Sequence, residues 1–290
     1  MKTLLIGANG QLGTDVCAMW PAADLIPRTI ADIDVTDRVR VFDVIGRHRP
    51  ALVFNTAAFH NVDVCETEPA QAFAVNAVAV RHLADACAEH NAALMHMSTD
   101  YVFSGRAARP YTESDPPDAI NVYGVSKAAG EQIVRATLPR HYIIRSSGLF
   151  GVAGAAGKGG NFVETMLRLA REGKPISVVN DQTLSPTFTP DLAAKLVEVA
   201  RTGRFGTYHV TGSGECSWYD FASAIFELCD LQPDLTPTST AAFGAKAARP
   251  EYSVLANDAL AAAGLTPLRP WQEALRDYLM RKGHIAPAAK

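Results

Sequence analysis

The sequence predicts an α/β protein with a doubly wound parallel β-sheet and a smaller C-terminal α/β domain. Three observations support this class. Short β-rich segments alternate with helical patterns through the first half of the chain, which is typical of βαβ units. A glycine-rich turn follows the first of these segments, and the character of the sequence changes after Gly148. We therefore expect one domain over residues 1–150 and a second over residues 151–290, with part of the second segment returning to the first domain.

Five strands are predicted in the first domain: TLLIG, DLIP, ALVFNTAA, ALMHMSTD and HYIIRSS. Helices are expected from about Gly10 to Trp20, in VTDRVRVFDVIGRH, in PAQAFAVNAVAVRHLADACAEH, and in the segment that carries Tyr123 and Lys127. Strands separated by helices in this way make a doubly wound sheet.

The second half is predicted to contain helices at about 161–173, 190–202, 217–229 and 270–282. The segment GVAGAAGKGG, residues 151–160, is expected to be a hinge between domains or a loop over a site. Long polar loops are expected at 102–121 and 232–252, and loops of this length are more typical of binding than of plain connection.

Composition excludes several functional classes. The 290 residues carry a net charge of -3 with scattered Lys and Arg, which disfavours nucleic acid as a partner. No apolar run is long enough for a membrane span and no signal-peptide core precedes the first glycines, so a cytoplasmic protein is expected. Five cysteines without a CxxC pair and eight dispersed histidines predict no catalytic metal and leave open a structural metal at an interface between subunits.

The motif GANGQLG places Gly7, Gly10 and Gly13 directly after the first predicted strand. Glycines at this position let the backbone approach a pyrophosphate, and the next helix presents free N–H groups to its charge. The motif therefore predicts a Rossmann-type dinucleotide site; the alternative is a glycine-rich turn in an ordinary α/β protein.

The second predicted strand ends in IPRT, where Arg28 suits a 2′-phosphate. Asp34 lies further on, where it can reach the adenine. These positions favour NADPH and leave NADH open. The alternative for Arg28 is a solvated surface charge.

Tyr123 and Lys127 are four residues apart in NVYGVSKAAGE, so they share one face of a helix. An ammonium beside a phenol favours its ionised form, and we expect it to lower the pKa of Tyr123. A phenol of this kind can protonate a carbonyl oxygen during reduction. YxxxK is a weak signal alone, but MSTDYVFSG adds Ser98, Thr99 and Asp100 at the end of the fourth strand, where open α/β sheets bind ligands.

These motifs together resemble the extended short-chain dehydrogenase/reductases, and within them the dTDP-4-dehydrorhamnose reductase family. The resemblance covers nearly the whole chain, through GANGQLG, FNTAAFHNVDVCE, STDYVFSG, NVYGVSKAAGE, GGNFVETMLRLAREGKPISVVNDQTLSPTFTPDLA and ARPEYSVLA. The block from Gly159 to Ala193 is the most specific, because it lies outside the dinucleotide motif.

The resemblance implies reduction of the 4-keto group of a dTDP-linked deoxysugar, with Tyr123 as the acid. The catalytic set is expected to be Thr99, Tyr123 and Lys127. Cofactor contacts are expected from Gly7, Gly10, Gln11, Leu12, Gly13, Arg28, Asp34, Val35, Ala57, Ala58, Phe59, His60, Tyr123 and Lys127. Substrate contacts are expected from Thr99, Asp100, Gly148, Asn161, Phe162 and Arg249. Phe162 as a core aromatic and Arg249 as a surface charge are the plainer alternatives.

One position departs from the family pattern. The chain reads RSSGLFG where the family commonly reads RTSW, so Gly148 replaces a tryptophan that packs on the deoxysugar. Either another side chain such as Phe150 fills the space or the sugar differs. A reductase or epimerase of another nucleotide sugar stays open, as does a non-catalytic relative such as the regulatory β subunit of methionine adenosyltransferase. The sequence is compatible with a homodimer but does not fix the number of subunits.

Overall fold

A computed structural model gives the fold and describes residues 1–153 and 160–286. Most of the segment expected to form a hinge or a loop, residues 154–159 of GVAGAAGKGG, lies outside the described residues.

The strands follow one another along the chain as β1 (Thr3–Ile6), β2 (Leu25–Arg28), β3 (Leu52–Asn55), β4 (Ala93–Thr99), β5 (His141–Ser146), β6 (Leu149–Phe150), β7 (Ile176–Val179), β8 (Thr183–Leu184), β9 (Thr187–Phe188), β10 (Gly206–His209), β11 (Cys216–Ser217) and β12 (Leu235–Thr238).

The helices are α1 (Gln11–Met19), α2 (Arg38–His48), α3 (Val62–Thr67), α4 (Pro69–Phe73), α5 (Ala79–Glu89), α6 (Val122–Thr137), α7 (Phe162–Arg171), α8 (Thr189–Thr202), α9 (Trp218–Leu228), α10 (Thr240–Phe243), α11 (Asp258–Ala262) and α12 (Trp271–Arg281). A π-helical segment, Ala74–Val78, joins α4 to α5.

A six-stranded parallel sheet forms the centre of the fold, in the order β10-β5-β4-β3-β1-β2. The predicted Rossmann-type α/β class is confirmed. Strands β1, β3 and β4 are fully buried, as expected for a parallel sheet covered on both faces. The sixth strand, β10, comes from the second half of the chain and is not among the five predicted strands.

Apolar side chains cover both faces of this sheet. On one face, residues of α1 and α8 such as Val16, Leu192 and Leu196 pack against the strands. On the other face, α2, α5 and α6 contribute residues such as Ile45 and Leu83. The two helical layers leave the carboxyl ends of the strands uncovered, so a ligand can reach that edge.

A separate apolar cluster holds the C-terminal helices together. Phe150, Phe188, Phe221 and Tyr278 meet in it, with ring centroids 5.4 to 5.7 Å from Phe150. Helices α7, α9 and α12 surround this cluster, which forms a second body beside the carboxyl edge of the sheet.

Two predicted segments differ from the structure. The expected long helix over PAQAFAVNAVAVRHLADACAEH is divided into α4, the π segment and α5. The expected loop at 232–252 contains β12, which pairs with β7, and the short helix α10. Pro237 lies in β12, which has a partner on one side only; an edge strand tolerates a residue without an N–H.

Candidate active site

A cavity of about 550 Å³ lies at the carboxyl ends of the central strands. Of the residues predicted to bind or react, the cavity is lined by Gly10, Gln11, Leu12, Gly13, Ala58, His60, Thr99, Asp100, Tyr123, Lys127, Gly148, Asn161 and Phe162. The glycine turn, the YxxxK pair and the predicted substrate residues therefore surround one space.

The glycine turn leaves no room for side chains on its inner side. A Cβ at Gly13 would lie 2.1 Å from the Gly7 carbonyl oxygen, and Gly7 itself has φ +84°. Helix α1 begins after Gly10, and no side chain caps its first N–H groups. The Gln11 side-chain oxygen is buried without a hydrogen-bond partner among the described residues. Free backbone donors at a helix start are the feature that binds a phosphate.

The residues predicted at the adenosine end lie beyond this cavity. Arg28, at the end of β2, contacts His48 Nε2 at 3.0 Å. The Asp34 carboxylate accepts hydrogen bonds from the N–H and hydroxyl of Thr36, which lower its pKa. Val35 is buried in the core of the sheet. The Asp34 carboxylate thus stabilises the turn in which it lies. Arg28 remains a predicted contact for a 2′-phosphate.

The segment after β3 is fixed by a residue that the sequence analysis missed. Asn76, in the π segment, accepts from the Phe59 N–H at 2.9 Å and donates to the Phe59 carbonyl at 2.9 Å. It also donates to the Ser126 hydroxyl on α6 at 3.0 Å. Because Asn76 joins this segment to α6, it fixes Ala58 and His60 relative to Tyr123.

Helix α6 begins against the turn that follows β4. Asn121 caps it by accepting from the Gly124 N–H at 2.7 Å. A Cβ at Gly124 would lie 2.0 Å from the Tyr101 carbonyl oxygen, so only glycine allows this contact. The approach brings Tyr123 beside Tyr101, with ring centroids 6.0 Å apart, and places the Tyr123 hydroxyl near Thr99.

The Tyr123 phenol keeps some exposure through the cavity. Burial nevertheless raises its pKa, and the hydrogen bond with Thr99 opposes this rise. The net direction is opposite to that expected from the sequence, because the Lys127 amine is directed toward the sheet: Nζ donates to the Met97 carbonyl at 2.5 Å. Tyr123 is therefore held as a neutral phenol, the form that can give up a proton.

Lys127 is buried, and burial lowers its pKa to about 8. Glu131, one turn further along α6, raises it in turn. Glu131 accepts from Arg145 at 2.7 and 2.9 Å and from Ser98 at 2.5 Å, and Arg145 lowers its pKa against the effect of burial. The positive charge of Arg145 therefore offsets much of the effect of Glu131 on the pKa of Lys127.

Asp100 links three parts of the chain at the edge of the cavity. It accepts hydroxyl hydrogen bonds from Thr99 at 3.1 Å, Ser147 at 2.8 Å and Ser253 at 2.6 Å. Burial raises its pKa, and these three bonds oppose the rise. Thr99 also accepts from the Tyr101 N–H at 3.2 Å. Asp100 thereby orients the Thr99 hydroxyl.

Aromatic side chains form the far wall of the cavity. Phe162 lies at the start of α7, with its ring centroid 4.6 Å from that of Trp218, and both line the cavity. Asn161 caps α7 and donates to the Gly151 carbonyl and the Tyr278 hydroxyl, each at 3.0 Å. Trp218 was not predicted from the sequence, where it stands out merely as a tryptophan directly after the helix cap Ser217.

Gly148 has φ +53°, a conformation that favours glycine. A Cβ there would lie 2.7 Å from Leu184 Cδ1 and 3.1 Å from Pro186 Cα. Leu184 and Leu149 line the cavity beside it, whereas Phe150 is buried in the C-terminal cluster. Leucine side chains, rather than Phe150, occupy the wall next to Gly148.

Arg249 already has partners within the chain, and one of them, Tyr101, lines the cavity. Its guanidinium contacts Asp63 Oδ2 at 2.9 Å and donates to the Ala247 carbonyl at 3.0 Å. Its neighbours Pro250 and Ser253 line the cavity. The predicted diphosphate contact from Arg249 would therefore compete with Asp63.

Residues 1–283 match the RmlD substrate binding domain family. The chain belongs to this family. It is 40% identical to a dTDP-4-keto-6-deoxy-D-glucose reductase of Streptomyces niveus, over 94% of this chain and 95% of the relative. It is also 40% identical to a dTDP-4-dehydrorhamnose reductase of Streptomyces griseus, over 95% and 92%.

The crystal structure of dTDP-4-dehydrorhamnose reductase from Bacillus anthracis in complex with NADP is similar throughout, with a TM-score of 0.92 and 38% identity over 97% of this chain and 100% of that one. The family predicted from the sequence motifs is confirmed. Across the parts of the chain that the structure describes, no helix is long and apolar enough to cross a membrane. Those same parts contain no group of three acidic, histidine or cysteine side chains that could hold a metal ion.

Proposed function

We propose that this protein reduces the 4-keto group of dTDP-4-dehydro-L-rhamnose to give dTDP-L-rhamnose, with NADPH as the cofactor. One observation carries the proposal: a single cavity joins the glycine turn, the phenol of Tyr123 and the aromatic wall of Phe162. A cofactor bound at the glycine turn and a sugar nucleotide bound at the aromatic wall would meet at Tyr123.

The glycine turn fits a dinucleotide. The uncapped start of α1 after Gly10 would hold the pyrophosphate through its free backbone N–H groups. Arg28 would contact a 2′-phosphate. When bound, NADPH supplies the hydride that the carbonyl carbon accepts.

The side chains of this protein supply the proton that completes the reduction. The carbonyl oxygen gains negative charge as the carbon is reduced, and the hydroxyl of Tyr123 donates a proton to it. The Thr99 hydroxyl donates to Asp100 in this structure, and by turning its hydrogen from Asp100 to the substrate it would donate a hydrogen bond to the same oxygen. Since burial keeps Tyr123 protonated, the acid is ready at neutral pH.

The two parts of the chain divide the ligands between them. We propose that residues 1–150 bind the cofactor and residues 151–290 bind the sugar nucleotide, with β10 returning to the sheet of the first part. Phe162 and Trp218 present an apolar face suited to a deoxysugar or a base.

The test supplies the purified protein with dTDP-4-dehydro-L-rhamnose and either NADPH or NADH, and follows loss of reduced nicotinamide absorbance together with product identity. Tyr123→Phe should lower kcat by about 10²-fold or more and leave cofactor affinity nearly unchanged. Tyr142→Phe is the matched control, because Tyr142 lies in the core of the sheet and its hydroxyl contacts Ala200. Wild-type turnover in Tyr123→Phe would contradict the assignment of the acid.

The sugar needs a separate comparison, because a relative of equal identity is named for dTDP-4-keto-6-deoxy-D-glucose. We expect a higher kcat/KM for dTDP-4-dehydro-L-rhamnose. A tenfold preference for the glucose-configured substrate, about 1.4 kcal/mol, would leave the reaction class intact and overturn the sugar. Tight retention of the cofactor after turnover would favour an epimerase.

A further inference from the structure

The Lys127 amine has two polar neighbours on β4. Nζ donates to the Met97 carbonyl at 2.5 Å and lies 3.3 Å from His96 Nε2. His96 is fully buried in the middle of the sheet. Which of the two nitrogens donates depends on where the imidazole carries its hydrogen.

Asn55, on the neighbouring strand, determines that position. The Ala57 N–H donates to Asn55 Oδ1 at 3.1 Å, so the amide nitrogen of Asn55 points the other way, to 3.1 Å from His96 Nδ1. An amide nitrogen only donates, and Nδ1 must therefore accept. Burial and Lys127 hold the pKa of His96 well below its ordinary value, so the ring is neutral and has its one hydrogen on Nε2.

The hydrogen on Nε2 faces the Lys127 amine. A protonated Lys127 has three N–H groups and no lone pair, so two donors would oppose each other across 3.3 Å. A neutral amine instead accepts from Nε2 and still donates to the Met97 carbonyl. Protonation of Lys127 thus loses one hydrogen bond inside the protein.

Close packing prevents α6 from moving away to relieve the contact between Lys127 and His96. A Cβ at Gly130, on the same helix as Lys127, would lie 2.3 Å from the Asn76 carbonyl oxygen and 3.5 Å from His96 Nε2. Helix α6 therefore lies directly against His96. A larger separation between Lys127 and His96 would require α6 to move away from the π segment that it packs against.

Other ionisable groups around Lys127 do not produce the same effect. On its own helix, Glu131 raises the pKa of Lys127 and is itself paired with Arg145, while Tyr123 is neutral. From the end of β4, Asp100 faces the same cavity. An acid in either place favours the ammonium, whereas His96 opposes it.

We propose that His96 is a positioning residue that weakens the hold of Lys127 on its proton, because Asn55 fixes the imidazole with its hydrogen toward the amine. Lys127 can then release a proton in the pH range in which Tyr123 must regain one after each reduction. This last consequence rests on the proposed function; the tautomer and the proton affinity of Lys127 do not.

The experiment uses the full-length protein without substrate. Protein labelled with ¹³C at lysine Cε is titrated by NMR, and the Lys127 signal is assigned by its loss in Lys127→Met. In His96→Gln the amide oxygen can accept from the ammonium, so the Lys127 midpoint should rise by about 1 pH unit or more. His209→Gln is the matched control, since His209 is an equally buried histidine on β10 that contacts Arg145 instead, and it should leave the midpoint in place.

A second measurement needs no substitution at His96. ¹⁵N spectra of histidine-labelled wild-type protein should show His96 neutral, with its hydrogen on Nε2, and Asn55→Asp should move that hydrogen to Nδ1 because a carboxylate accepts from it. A hydrogen on Nδ1 in the wild type, a doubly protonated ring, or a Lys127 midpoint that is unmoved or lower in His96→Gln would each overturn the proposal.

Discussion

Replacing Lys127 with methionine should stabilise the protein at neutral pH while it removes activity. Burial lowers the pKa of this lysine from 10.5 to about 8. Below pH 8 the amine is charged in both the folded and the unfolded chain, so the folded state bears the full cost of the buried charge. Above pH 10.5 the amine is neutral in both states and the cost disappears. At about 1.4 kcal/mol per pH unit, the interval between the two pKa values means that the buried charge lowers the free energy of unfolding by about 3 kcal/mol.

Methionine also loses the hydrogen bond to the Met97 carbonyl, which offsets about 1 kcal/mol of the gain. The variant should therefore be more stable than the wild type by about 2 kcal/mol at pH 7. The advantage should shrink above pH 8 and change sign somewhat below pH 10.5, where the remaining cost of the buried charge falls below the value of the lost hydrogen bond.

Urea denaturation of both proteins at pH 7, 8, 9 and 10 measures this difference. Lys174→Met is the control, because Lys174 is exposed and should give a difference that does not follow pH in this way. A variant that is less stable at pH 7, or a difference that stays constant with pH, would refute the reasoning.

Three further substitutions test other parts of the site. Arg28→Ala should weaken NADPH binding by about 1.5–3 kcal/mol and leave NADH binding nearly unchanged, as measured by fluorescence titration; equal losses would make the arginine structural. Gly148→Trp should destabilise the protein or weaken sugar binding, seen as a raised KM, by about 1–3 kcal/mol, because a Cβ there meets Leu184 at 2.7 Å and φ is +53°. A lower KM with unchanged stability would show that the wall can rearrange. Glu131→Gln should cost about 3–5 kcal/mol of unfolding free energy, since it leaves the buried Arg145 guanidinium without the carboxylate that balances its charge, and a loss under 1 kcal/mol in urea denaturation would contradict that.

Local sequence patterns predicted much of the secondary structure. The helices expected at 190–202 and 270–282 correspond to α8 and α12, within about a residue at each end. The expected strands all lie in the central sheet. Runs of this kind are predictable because their apolar spacing and their caps are local features.

The polar network behind the active site could not be predicted in the same way. His96 and Asn55 stand in buried strands, where nothing local distinguishes a ring that tunes a lysine from one that fills the core. They are 41 residues apart and meet only because β3 and β4 pair in one register. Asn76 lies in an alanine-rich helical run, and its importance depends on the π segment that turns it toward Phe59.

The expectation for the Tyr123 phenol was wrong for a related reason. Helical spacing places Tyr123 and Lys127 on one face, but it does not say where a flexible lysine directs its amine. The amine is directed to the Met97 carbonyl and lies beside His96, and burial then decides the direction in which the pKa of Tyr123 shifts.

The position of β10 has a consequence for the order in which the chain can fold. β5 is complete at residue 146, yet its outer neighbour arrives only with residues 206–209. Until then the nascent chain presents a buried-type strand, His141–Ser146, with an open row of backbone donors and acceptors. A fragment that ends at residue 150 would keep that edge permanently, so we expect it to associate through the edge rather than remain monomeric.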